Sequence, residues 1–149
     1  MRKLIAQTLF ATIAIAAAPR LMAQTGPYQY YSITPCRVVD TRNAVSTNGG
    51  PSLATSPRSF QIRGNCGVPS TAKAVSLNVT ITNASTTSWL TLWPSGTSQP
   101  YVSTINFDQN SAALANGAIV GLSSNATDLT VANAFGGVHV ILDVTGYFQ

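Results

Sequence analysis

Four aspartates, a single histidine and no glutamate are all the acid–base chemistry this chain carries. Asp40 and Asp143 are the carboxylates best placed to work as a pair, because Asp108 and Asp128 lie beside turn-forming residues. Asp40 also has Arg37 and Arg42 close by in the sequence. A half-buried charge in an apolar fold needs a partner, so Arg37, Asp40, Arg42 and Asp143 are read as a structural ion-pair group. A calcium site built on Asp40, Asp143 and loop carbonyls would need six to eight oxygens, and no Asp-rich loop supplies them. His139 is the only ordinary general base near neutral pH, and it sits four residues before Asp143 on one expected strand. A hydrolytic triad would also need a serine on a sharp turn, yet no Gly-x-Ser-x-Gly occurs. No catalytic residue, metal or cofactor is therefore expected, and a hydrolase is the third-ranked reading.

The aromatic residues carry more. In Trp89-Leu-Thr-Leu-Trp93 the leucines share one face of a strand, and Trp89, Thr91 and Trp93 share the other. With the leucines in the core, two indoles would stand about 13 Å apart on the outer face. Sugar rings stack their CH faces on such indoles, and Tyr101 would extend the platform, so Trp89, Thr91, Trp93 and Tyr101 are the candidate ligand-binding residues. The competing reading buries both indoles under a second layer or under the long loop 43–57, which suits large aromatics in general. Asn78, Asn106 and Asn116 fall within or beside strands. Their expected work is to bond backbone groups at bulges and strand ends, with a polar ligand groove as the other reading.

These side chains have to be positioned by strands. Apolar residues recur at every second position, most clearly in Val75, Leu77, Val79 and Ile81, and no helical period follows residue 23. Further strands are expected over 28–33, 37–40, 59–62, 88–93, 102–107, 118–122, 128–132 and 138–147, each bounded by Gly, Asn, Ser or Pro. The fold class is therefore all-β: one antiparallel β-sandwich, jelly-roll or immunoglobulin-like. Residues 43–57 form the longest stretch without an element, a length that marks a functional or mobile loop.

Arg2 and Lys3 followed by an apolar run over 4–18, with Leu21-Met22-Ala23 as a cleavage site, make residues 1–23 a secretory signal. One domain, 24–149, remains. The apolar run is short for a membrane span, and no second one follows. The formal net charge of +4 belongs largely to that leader. The mature part sets Arg37, Arg42, Arg58, Arg63 and Lys73 against four aspartates, a net charge of +1, which removes the basic face that nucleic-acid binding requires. Cys36 and Cys66, in a chain bound for an oxidising compartment, read as one disulfide contributing roughly 3–4 kcal/mol.

Pro35-Cys-Arg-Val-Val-Asp-Thr-Arg42, Cys66-Gly-Val-Pro69, Ala74-Val-Ser-Leu-Asn-Val-Thr80, Leu90-Thr-Leu-Trp-Pro-Ser-Gly96 and His139-Val-Ile-Leu-Asp-Val-Thr-Gly-Tyr-Phe148 occur in this order. Together they resemble a group of little-characterised secreted bacterial modules, found alone after a signal peptide or attached to larger envelope proteins. The resemblance implies an extracellular β-rich module and brings no residue roles. The first functional expectation is a non-catalytic module that binds cell-envelope components or polysaccharide through its aromatics. The second is a self-associating subunit of a surface layer or filament, since one mature lysine guards few sheet edges and strand 128–132 could pair between subunits.

Overall fold

A computed structural model describes residues 26–149. The expected signal and its cleavage site lie outside the described residues. Eight strands follow one another: β1 (Tyr30–Asp40), β2 (Arg58–Phe60), β3 (Ala74–Thr82), β4 (Ser88–Pro94), β5 (Ile105–Phe107), β6 (Leu114–Gly121), β7 (Leu129–Asn133) and β8 (His139–Phe148). They form two antiparallel sheets, ordered β1-β8-β3-β6 and β2-β7-β4-β5. First pairs with last, second with seventh, third with sixth and fourth with fifth. This is one long hairpin wrapped into two layers, the jelly-roll order, which decides between the two sandwich types expected.

The period-two pattern of β3 does what its sequence asks: Val75, Leu77, Val79 and Ile81 are buried, and the residues between them are half-exposed. Val140, Leu142 and Val144 of β8 join them. Phe60, Leu90, Leu129 and Val131 close the core from the second sheet. Each such side chain contributes roughly 1.5–3 kcal/mol on leaving water. Two elements differ from expectation. The segments 28–33 and 37–40 are one strand, β1, whose register against β8 shifts between Ser32 and Cys36 and again between Arg37 and Val39. Leu114-Ala-Asn-Gly-Ala118 belongs to β6 although it lacks β-branched residues, because β3 supplies a partner for every position along it.

Strand 128–132 was expected to be open to other subunits. Its structural counterpart β7 is instead interior, hydrogen-bonded to β2 on one side and β4 on the other, with all five residues buried. The long loop is held as structure. Leu53 is fully buried and exchanges both backbone hydrogen bonds with Val138. Asn48 Nδ2 donates to Gln61 O at 2.6 Å, and Asn48 Oδ1 accepts from Gln61 N at 3.0 Å. Arg58 lies over the Phe60 ring and donates to the carbonyls of Gly49, Gly50 and Pro51, while its burial lowers its pKa from the ordinary value. The Cys36–Cys66 disulfide joins β1 to the turn before β3, with Cα atoms 5.6 Å apart. Among the described residues no helix is long and apolar enough to cross a membrane.

Candidate functional site

Pairing of β1 with β8 sets Arg37 directly opposite Asp143 and Asp40 opposite Ile141. Arg37 then donates to both Asp143 oxygens, at 2.8 and 3.1 Å. Arg42 holds Asp40 through Nε at 2.9 Å and Nη2 at 2.7 Å, its backbone N–H adds a third bond at 3.1 Å, and Arg37 reaches the same carboxylate at 3.6 Å. The Arg42 hydrogen bonds outweigh the burial of Asp40 and hold its pKa down at about 2. Hydrogen bonding to Asp143 raises Arg37. All four carboxylate oxygens therefore already face guanidinium donors, and a cation or a transferable proton would have to displace them. His139 is turned to a different partner, with Nδ1 3.1 Å from Thr41 Oγ1. That oxygen also accepts from Val140 N at 2.9 Å. His139 and Asp143 share a face of β8, but each is bonded to a different group. Among the described residues no cluster of three or more His, Cys, Asp or Glu is arranged to hold a metal.

One charged centre was not legible as such. Asp128, beside a turn in the sequence, is fully buried. Its Oδ2 accepts from the backbone N–H groups of Ile62 and Arg63, both at 2.7 Å, and its Oδ1 accepts from Arg63 Nε at 2.6 Å. The Arg63 guanidinium also bonds Ser123 O. The backbone of Asp128 adds bonds to Phe60, Ser95 and Ser123. One residue thus ties the ends of β2 and β4 to the start of β7.

The two-indole platform is not present. Trp93 is 6% exposed and donates from Nε1 to Thr97 O at 3.1 Å, and Thr91 is buried with Oγ1 donating to Val102 O at 2.7 Å. After β4 the chain turns at Pro94–Thr97 and returns along that strand, with Thr104 bonded to both Leu90 and Leu92. Thr130 and Ala132 on the neighbouring β7 are covered as well. Alternation places Trp93 on the outer face correctly, but a period of two carries no information on whether another segment covers that face.

Trp89 behaves differently. It is 38% exposed, and the Phe135 ring meets it edge-on with centroids 5.3 Å apart. Phe135 is itself exposed. Two open hollows share Trp89 and Asn106 as a common wall. One, of about 620 Å³, is lined further by Thr87, Asp108, Ser111, Leu114 and Phe135. The other, of about 370 Å³, includes Thr91, Gln99, Tyr101 and Ser103. Tyr101 is fully exposed. Of the four residues proposed to bind a ligand, the fold brings Trp89, Thr91 and Tyr101 to one hollow and removes Trp93 from it. Asn106 bonds Ser103 Oγ at 3.1 Å and lines both hollows. Phe135 was overlooked, although a large apolar residue between Ala134 and Gly136-Gly137 is out of place in a turn unless something uses it. No protein-family model and no curated protein matches this chain.

Proposed function

We propose that this chain is a secreted, non-catalytic module that binds polysaccharide or another cell-envelope glycan across the Trp89 ridge. The observation that carries the reading is an indole held edge-on by Phe135 yet open to water, bordered by two open hollows that mix apolar and polar side chains. An indole so braced offers a rigid apolar face at little conformational cost on binding. A sugar ring stacked there would find Asn106 beside it, while Gln99 and Ser103 on one side and Thr87 and Ser111 on the other would meet the hydroxyls of neighbouring rings. The disulfide suits an oxidising compartment and accords with the secretory signal read in residues 1–23. The jelly roll serves lectins and capsid subunits alike, so the fold does not choose the ligand.

The test is a glycan array and a polysaccharide pull-down on the mature, oxidised protein, with Trp89→Ala and Tyr101→Ala variants. Losing the stacked ring is expected to weaken binding about tenfold or more, the equivalent of ~1.4 kcal/mol. Bound glycan should also shield Trp89 from acrylamide quenching. Binding that survives both substitutions together, or no binding on any array, would overturn the proposal.

A further inference from the structure

The geometry points to β6 as a self-pairing edge, through which two copies of this chain join their β1-β8-β3-β6 sheets into one continuous sheet. The two sheets have four edge strands. Three are blunted in the ways natural sheets use. β1 carries two register shifts, Pro35 and the charges of Arg37 and Asp40. β2 and β5 are three residues long. β6 is eight residues long, unbroken in register against β3, and contains no charge, no lysine and no proline.

The direction of its free groups follows from one bond. Leu122 N donates to Lys73 O at 2.7 Å, so even-numbered positions turn their N–H and C=O toward β3. Ala115, Gly117, Ile119 and Gly121 therefore turn theirs away, and β6 has no second strand neighbour among the described residues. A second copy placed about a two-fold axis through Gly117 brings Gly117 opposite Gly117, and Ala115 opposite Ile119 in both directions. Each of these three pairs exchanges two hydrogen bonds, so the outward N–H groups of Ala115, Gly117 and Ile119 on both strands, six in all, find acceptors. The two-fold makes the contact self-complementary and closed. A second copy is the occupant because this register meets its own side-chain pattern without like charges: Ile119, 68% exposed, lies over Ala115, and the open space at Gly117 admits close approach at the axis. The association is concentration-dependent, since main-chain bonds supply most of it and few large side chains are buried. It does not depend on glycan binding.

The experiment is sedimentation equilibrium of the mature, oxidised protein across a wide concentration range. Wild type is expected to pass from monomer to dimer. Gly117→Lys and Gly117→Glu face open space in the monomer and put like charges opposite each other at the axis. Each is expected to weaken dimerisation at least tenfold, and an equimolar mixture of the two is expected to restore it. Ile119→Pro deletes an outward N–H that the monomer does not use and should also give monomer, with an unchanged circular-dichroism spectrum. A wild type that stays monomeric throughout would overturn the proposal. So would dimers indifferent to these substitutions, or loss of dimer in both charge variants without rescue on mixing.

Discussion

At the end of the sandwich where β2 leaves and β7 enters, the fold closes around a carboxylate. At the opposite end, where β4 begins and β7 finishes, it stays open around an indole. Asp128 at the closed end is wholly buried and takes two backbone N–H groups and a guanidinium, while its own backbone joins three further residues. Trp89 at the open end touches Phe135 edge-on and otherwise borders hollows. The difference separates structural polarity from recognition. Donors and acceptors that close on one another leave nothing with which to hold a ligand, whereas an exposed aromatic pair retains apolar area that another surface can remove from water. Charge content is therefore a poor guide to the working surface of this molecule.

The strongest challenge to that contrast is Asp128→Ala. It would strand the Arg63 guanidinium, only 18% exposed, and two backbone N–H groups without an acceptor. A loss of about 3–5 kcal/mol in denaturant unfolding is expected, the cost of breaking a buried pair from one side. A loss below about 1 kcal/mol would mean that the closed end is not held by its carboxylate. The two indoles give the next contrast. Trp93→Ala should cost about 3 kcal/mol or more, as a buried aromatic does. Trp89→Ala should cost about 1 kcal/mol, mostly the edge-on contact with Phe135. Equal stability losses would erase the distinction between a structural and a presenting tryptophan.

The sequence displayed the sandwich because its core residues obey a local rule. Val75, Leu77, Val79 and Ile81 alternate, and alternation states which face is buried. The Arg37, Asp40, Arg42 and Asp143 group was legible for a related reason, since few charges in an apolar chain have few partners available. Trp93 and Thr91 escaped because their cover comes from residues 97–104, and nothing local in β4 announces a returning segment. Asp128 escaped because its partner Arg63 lies 65 residues earlier, in the turn after β2, which it meets only once the hairpin has wrapped. Phe135 sits near Trp89 through the pairing of β4 with β7, a register set by tertiary packing. What stayed hidden is what depends on which strand lies beside which.

A last contrast, the only one that depends on pH, separates the half-exposed ion pairs from the buried one. Asp40 has a folded pKa of about 2 against an ordinary 3.8, depressed first by its hydrogen bonds from Arg42. A depressed carboxylate pKa means that the unfolded chain binds the proton more readily. The resulting stability is thus present in full above pH about 4 and is lost as pH falls through about 2. Arg37 and Arg42 are about half exposed, so water screens the pair and about 1–2 kcal/mol is at stake. Asp40→Asn should therefore be less stable than wild type by that amount at pH 6, with the gap closing as both are taken toward pH 2. Added salt should also narrow the gap, because the guanidinium partners face solvent. The same salt should barely change the loss caused by Asp128→Ala, whose carboxylate never meets water. If the two losses respond alike to salt, the closed end is wetter than its geometry states, and the contrast with the Trp89 end would have to rest on the aromatics alone.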